Sequence, residues 1–264
     1  MNILYVGAFR LPNLDAAAPR VLNNGRALAS LGHSVSFLSW GGGYRKSDLC
    51  DDGLYRIDGM EYVITGELCP PSSLFGRIWQ SFTRGKKSIE LIKKLEYKPD
   101  LIIMYQASNQ FTKKIISYCQ QNNIKLVHDI TEWYAINELY FYSWIPNYIN
   151  MTRTQRNVNN KILISSFLNR VYPESNNLVI PPLCSKDETR WSASIEDERI
   201  KPYDGITLIY AGSPLKKDNL HSAINAVNKL ALEGQAIRFI ILGTLCFQFL
   251  YICYCGTVLL HRVL

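Results

Sequence analysis

Apolar residues in this chain come in short unbroken runs, separated by stretches in which they recur every third or fourth position. Residues 2–9, NILYVGAF, form a run of strand length that ends beside Gly7, and its unbroken apolarity predicts a strand buried on both faces. Val21, Leu22, Gly25, Leu28 and Ala29 then follow a helical period that Gly32 stops, and residues 34–40 read as the next strand. This is a strand–helix–strand unit of parallel type. The alternation continues with a short strand over 62–65, a helix over 76–98 and the strand LIIMYQ after Pro99-Asp100. A helix over 111–121, a strand over 124–130, helical or loop material to about 159, and strands over 161–166 and 177–182 complete the series.

The pattern changes after the double proline 181–182. Ten of the twenty residues 185–204 are charged and no long apolar run interrupts them, so this segment reads as a linker. A second strand–helix–strand unit then opens: a strand over 205–212, a helix from Leu220 that closes at Gly234, and a strand over 238–243. The expected organisation is an N-terminal Rossmann-like domain over 1–184, a linker over 185–204, the start of a second such domain over 205–243, and an anomalous apolar tail over 244–264. So short a second domain buries little core, which predicts exposed strand edges.

The tail has three readings. Residues 239–260 contain no charge and are flanked by Arg238 and Arg262, a length and polarity that permit a membrane span. Assigning 238–243 to a strand shortens the apolar remainder below that length. The abrupt change of composition after Gly243 also fits a reading-frame change, and an irregular packed segment is the third possibility.

Composition narrows the function classes. The chain is globular in its apolar and charged content and carries a net charge of +7, which suits an anionic partner. Its seven cysteines form no CxxC pair with zinc spacing, so neither a disulfide framework nor a metal site is expected, and a reducing cytoplasm fits best. The opening run is too short for a signal peptide. GxGxxG, Walker, HExxH and GxSxG patterns are all missing, and no nucleic-acid-reading motif occurs.

Open parallel sheets bind ligands at the C-terminal ends of their strands. Two loops qualify: the one after 2–9, and YAGSPLKKDNL (210–220). In the second, Gly212 and Ser213 leave the strand with little bulk, Lys216 and Lys217 bring positive charge, and Asp218 or Asn219 is placed to cap the next helix. That combination suits a diphosphate.

Four segments in this order resemble the family-4 retaining glycosyltransferases, also called glycosyl transferase group 1. They are NLDAAAPRVLNNGRALASLGHSV (13–35), VHDITEWY (127–134), ILISSFLNRVY with NLVIPP (162–172 and 177–182), and YAGSPLKKDNL. The likeness spans residues 2–243. It implies an α/β chain of GT-B type, with a complete N-terminal Rossmann-like domain and an incomplete second one. It further implies a transferase that moves sugar from a nucleotide-sugar donor to a cell-surface polysaccharide or lipid-linked acceptor. The nucleotide sugar is then a co-substrate, and no separate cofactor is required.

By the same resemblance, Lys217 contacts the donor diphosphate, with Gly212 and Ser213 lining that pocket and Lys216 standing in for the Arg that many relatives carry at position 213. Gly7, Asp15 and Arg20 lie near the donor phosphates and the acceptor. Glu132, His128 or Asp129 faces the transferred sugar, and the alignment leaves open which. Relatives continue with a paired-Glu motif that holds the donor sugar, whereas the tail after Gly243 has no Glu or Asp; on this reading the chain is truncated and has little activity. The alternatives are a nucleotide-sugar epimerase of the same fold and a non-catalytic binding module.

Residues 76–98 hold seven Lys/Arg against two Glu, with Ile78, Trp79, Phe82, Ile89, Ile92 and Leu95 on an apolar side. Either that side packs on the core beneath a solvated basic face, or the segment meets anionic lipid. The second reading places the protein peripherally at the inner face of the cell membrane.

Overall fold

The computed structural model describes residues 1–69, 71–134, 141–184, 203–212, 219–242 and 258–261. The chain divides into two compact units, Met1–Thr189 and Arg190–Leu264.

The first unit is built on strands β1 (Asn2–Leu11), β2 (Ser34–Gly42), β3 (Arg56–Ile57), β4 (Met60–Ile64), β5 (Leu101–Tyr105), β6 (Lys125–Ile130), β7 (Asn160–Leu163) and β8 (Asn176–Val179). They form one sheet in the order β3-β4-β2-β1-β5-β6-β7-β8. Every neighbouring pair is parallel except the β3–β4 hairpin. The chain moves outward from β1 through β2 to β4, then crosses to the other side of β1 with β5. The boundary between β1 and β5 is therefore the point at which strand order reverses.

Helices α1 (Ala17–Ser30), α2 (Leu74–Thr83), α3 (Lys86–Lys94), α4 (Asn109–Gln121), α5 (Phe141–Thr152) and α6 (Ser166–Val171) complete the unit. Period-2 alternation along β1 sends Ile3, Tyr5 and Phe9 to a core shared with Val21 and Leu22 of α1. Leu4 and Val6 enter the opposite core, with Trp40, Ile89 and Ile92 of α3, and Phe111 and Ile115 of α4. Two buried faces account for the unbroken apolar run at the start of the chain.

The single helix expected over 76–98 is instead two helices. Gly85, at φ +90°, forms the break, and a Cβ there would lie 2.5 Å from the Phe111 side chain. Only glycine combines that backbone with so close an approach. Ser73 caps α2 by accepting the Gly76 N–H at 3.0 Å, and Ser108 caps α4 through Phe111 N–H at 3.3 Å. The strand expected over 161–166 ends at Leu163, because Ser165 caps α6.

The second unit holds β9 (Ile206–Ala211), α7 (Leu220–Leu232), β10 (Ile237–Leu242) and β11 (Val258–His261) in a parallel sheet of order β11-β10-β9. Leu220, Ile224 and Val227 of α7 pack on Ile237, Phe239 and Ile241. Leu208 and Ile209 on the edge strand β9 are exposed. Asn219 precedes α7 in a left-handed conformation and makes no side-chain cap; its Oδ1 accepts from Ser222 Oγ at 2.9 Å instead. Within the tail, Val258–His261 pair in parallel with Phe239–Leu242, and the rest lies outside the described residues. Among the described residues, no helix is long and apolar enough to cross a membrane.

Candidate functional site

At the C-terminal ends of β1, β5, β6 and β7, within the first unit, lies a cleft of about 960 Å³. Its walls are the loop from β1 into α1, the β5–α4 loop and the segment after β6. The placement follows from topology: strands on either side of the reversal send their loops in opposite directions and leave a crevice.

Gly7 shapes the strand beneath it. Its φ is +150°, and a Cβ would lie 2.0 Å from the Tyr105 carbonyl oxygen, so glycine permits β1 to approach β5 at the point beyond which its register with β2 shifts. Gly7 supports the floor and is not part of the cleft wall.

Asp15 and Arg20 do line the cleft. Asp15 Oδ1 accepts the Ala18 N–H at 2.9 Å and so orders the first turn of α1. Arg20 is buried and committed: its Nη2 lies 2.7 Å from Asp129 Oδ1, its Nε bridges both carboxylate oxygens at 3.1 and 3.2 Å, and its Nη1 donates to Ile180 O at 2.9 Å. Asn23, one turn further along α1, donates to Leu183 O at 2.7 Å. The two side chains together hold the segment that leaves β8.

Asp129 also accepts from the Tyr5 hydroxyl and from Asn24 Nδ2, the latter at 3.4 Å. Burial raises its carboxyl above the ordinary value, while hydrogen bonds from Arg20, Tyr5 and Asn24 pull it back. Burial likewise raises the Tyr5 phenol, with the Asp129 charge adding to the effect.

His128 occupies the opposite face of β6 and is completely buried. Neither ring nitrogen has a hydrogen-bond partner among the described residues. Burial, reinforced by the nearby Lys161 charge, lowers its pKa to about 3, so the imidazole is neutral. The expectation that His128 or Asp129 faces a transferred sugar fits neither position. Both are sealed beneath the floor, because β6 is an interior strand with a packed layer on each side.

Glu132 is different: it lines the cleft and is exposed. The Tyr134 hydroxyl donates to its Oε2. The loop that carries Glu132 is fixed by Gln106, a residue the sequence reading passed over. With its amide oxygen turned toward the backbone, Gln106 accepts from Glu132 N–H at 2.7 Å and from Thr131 N–H at 3.1 Å. Gln106 follows β5 directly, with φ +37°, a strained conformation for a non-glycine residue. A polar residue closing an apolar strand was the only signal in the sequence. Tyr105 adds a bond between its hydroxyl and Thr131 Oγ1 at 3.1 Å.

In the second unit, Gly212 follows β9 and its N–H donates to Leu242 O at 2.9 Å. Ser213, Lys216 and Lys217 lie outside the described residues. Among the described residues, no group of His, Cys, Asp or Glu is placed to hold a metal ion.

An open parallel sheet with helices on both faces and a cleft at the strand reversal, followed by a second parallel β/α unit, is the GT-B architecture. Solved structures share it. The chain is similar to a glycosyltransferase from Rickettsia africae, with a TM-score of 0.60 and 14% identity, covering 99% of this chain and 68% of that one. It is similar to the HepE protein of Anabaena solved with UDP and glucose, with a TM-score of 0.59 and 11% identity, covering 99% and 69%. The catalytic domain of starch synthase IV from Arabidopsis thaliana, bound to ADP and acarbose, matches with a TM-score of 0.56 and 12% identity over 99% and 74%. No family model matches the chain, and no curated protein matches it.

Proposed function

We propose that this protein is a glycosyltransferase that moves a sugar from a nucleotide-sugar donor to a glycan acceptor, as family-4 enzymes do. The observation that carries this reading is Glu132: it is an exposed carboxylate at the strand-reversal cleft of a GT-B fold, on a loop pinned by Gln106. The neighbours solved with UDP and glucose, or with ADP and acarbose, support a nucleotide-sugar donor.

In this reading the acceptor glycan occupies the first-unit cleft. The donor diphosphate is assigned to the loop 212–217, whose sequence supplies the small residues Gly212 and Ser213 and the cations Lys216 and Lys217 that a diphosphate site calls for. Transfer breaks the bond from the anomeric carbon to the diphosphate and joins that carbon to an acceptor oxygen, whose proton leaves with the diphosphate. Glu132 faces the sugar and stabilises the positive charge that develops at the anomeric carbon.

The test pairs calorimetric titration of nucleotide sugars with a transfer assay on soluble glycans. Glu132→Gln is expected to lower transfer on the order of a hundredfold and leave donor affinity unchanged. Lys217→Ala is expected to weaken donor binding itself. Transfer at the wild-type level in Glu132→Gln, or undiminished donor binding in Lys217→Ala, would refute the reading.

A further inference from the structure

Helix α2 faces the wrong way for a helix that belongs to a core. Its polar side is the side tied to the protein: Gln80 Nε2 donates to Glu67 O at 3.1 Å and to Cys69 O at 2.8 Å, and Arg77 Nε donates to Pro71 O at 3.1 Å. Its apolar side points out. Phe75 is 77% exposed, Trp79 63% and Phe82 50%, at the i, i+4, i+7 spacing of one helical stripe, and Leu74 extends the stripe at 57%. Ile145 and Tyr148 of α5, which touches α2, are exposed as well. A contiguous ridge of large aromatic side chains on a surface marks an interaction site.

Charge selects the partner. From Arg77 to Lys94 the chain carries Arg77, Arg84, Lys86, Lys87, Lys93 and Lys94 against the single acid Glu90. In α3 the apolar residues Ile89 and Ile92 are buried, which leaves its lysines as a basic border rather than part of a second apolar face. A second copy docked through the same ridge would bring these cations against their own kind. An anionic bilayer surface satisfies both features at once, taking aromatic side chains among its acyl chains and cations among its headgroups.

We propose that α2 is a membrane-docking ridge that inserts Phe75, Trp79 and Phe82 into an anionic bilayer, with the α2–α3 cations on the headgroups. The ridge adjoins the cleft, since Arg77, Gln80, Phe82 and Arg84 also line it. Docking therefore brings the cleft close to the lipid surface. Resting on the transferase reading, this identifies the acceptor as a sugar carried on a membrane lipid.

The test uses the full chain and phosphatidylcholine vesicles, with or without phosphatidylglycerol, and no donor, so its outcome is independent of turnover. Binding is expected only with phosphatidylglycerol, and salt should weaken it. Phe75→Ser with Trp79→Ser should lower vesicle affinity about tenfold or more, since the apolar insertion is lost. Lys86→Glu with Lys87→Glu should weaken it by about fivefold or more for each charge. Lipids brominated on the acyl chain should quench tryptophan emission in wild type, and Trp79→Phe should bind equally well while losing the share of that quenching that Trp79 supplies. Both ridge and lysine positions are exposed, and near-UV circular dichroism verifies that each variant is folded. Glu132→Gln should bind vesicles like wild type, which separates docking from catalysis. Equal affinity in the serine variant, or quenching undiminished in Trp79→Phe, would overturn the proposal. So would self-association through the ridge without vesicle binding.

Discussion

His128 offers a quantitative test of the first unit's packing. In the unfolded chain a histidine takes up its proton near pH 6.5, whereas the buried ring does so only at about 3. The folded pKa is depressed, so the stability this residue permits is fully present above the unfolded value and is lost as pH falls toward the folded one. Between about pH 7 and about pH 5, linkage gives a loss of about 2 kcal/mol from this single group. The figure barely changes with the folded value, provided that value stays below the lower pH. Lys161, the register partner of His128 on β7, is the charged group acting on it. Its own pKa, lowered to about 8 by burial, places its titration above the window. Replacing His128 with leucine should therefore remove about 2 kcal/mol of acid sensitivity, because leucine has nothing to protonate. Urea unfolding at both pH values, followed by far-UV circular dichroism, measures the difference. Carboxylates contribute equally to both proteins and cancel. An equal loss of stability in wild type and His128→Leu would show that the ring finds a proton acceptor or solvent in the folded state.

Gly7→Ala should cost about 2–4 kcal/mol, since the new Cβ meets the Tyr105 carbonyl at a backbone conformation hostile to side chains; chemical denaturation reads it. Asp129→Asn should cost about 3–5 kcal/mol by stranding the buried Arg20 guanidinium, and the double variant Arg20→Met/Asp129→Leu should recover much of it. Gln106→Ala should leave donor affinity intact and lower transfer about tenfold or more, because the loop carrying Glu132 loses its anchor.

Much of the architecture was legible in the chain. Unbroken apolar runs of strand length, alternating with helical periods, specify a parallel sheet covered on both faces, because only such a sheet buries both sides of β1 and β5. The start of α6 was not legible: Ser165 caps it, yet Ser165 stands in a run that reads as strand through 166. The charged residues after the double proline signal where the apolar runs pause.

Other features depended on tertiary neighbours. Gly85 splits the basic segment because Phe111 of α4 occupies the space where its Cβ would be, and no local pattern encodes that encounter. His128, Asp129 and Glu132 are near neighbours in sequence and equally polar, yet two are sealed in the sheet and one is exposed in the cleft. The decision belongs to β6 being an interior strand that ends at Ile130, beyond which the chain meets solvent. Trp79 and Phe82 fit the apolar side of a helix by periodicity alone. Only the anchoring of Gln80 to the Glu67 and Cys69 carbonyls turns that side away from the protein. Periodicity says which residues share a face, and the partners that face meets are set by contacts between elements far apart in the chain.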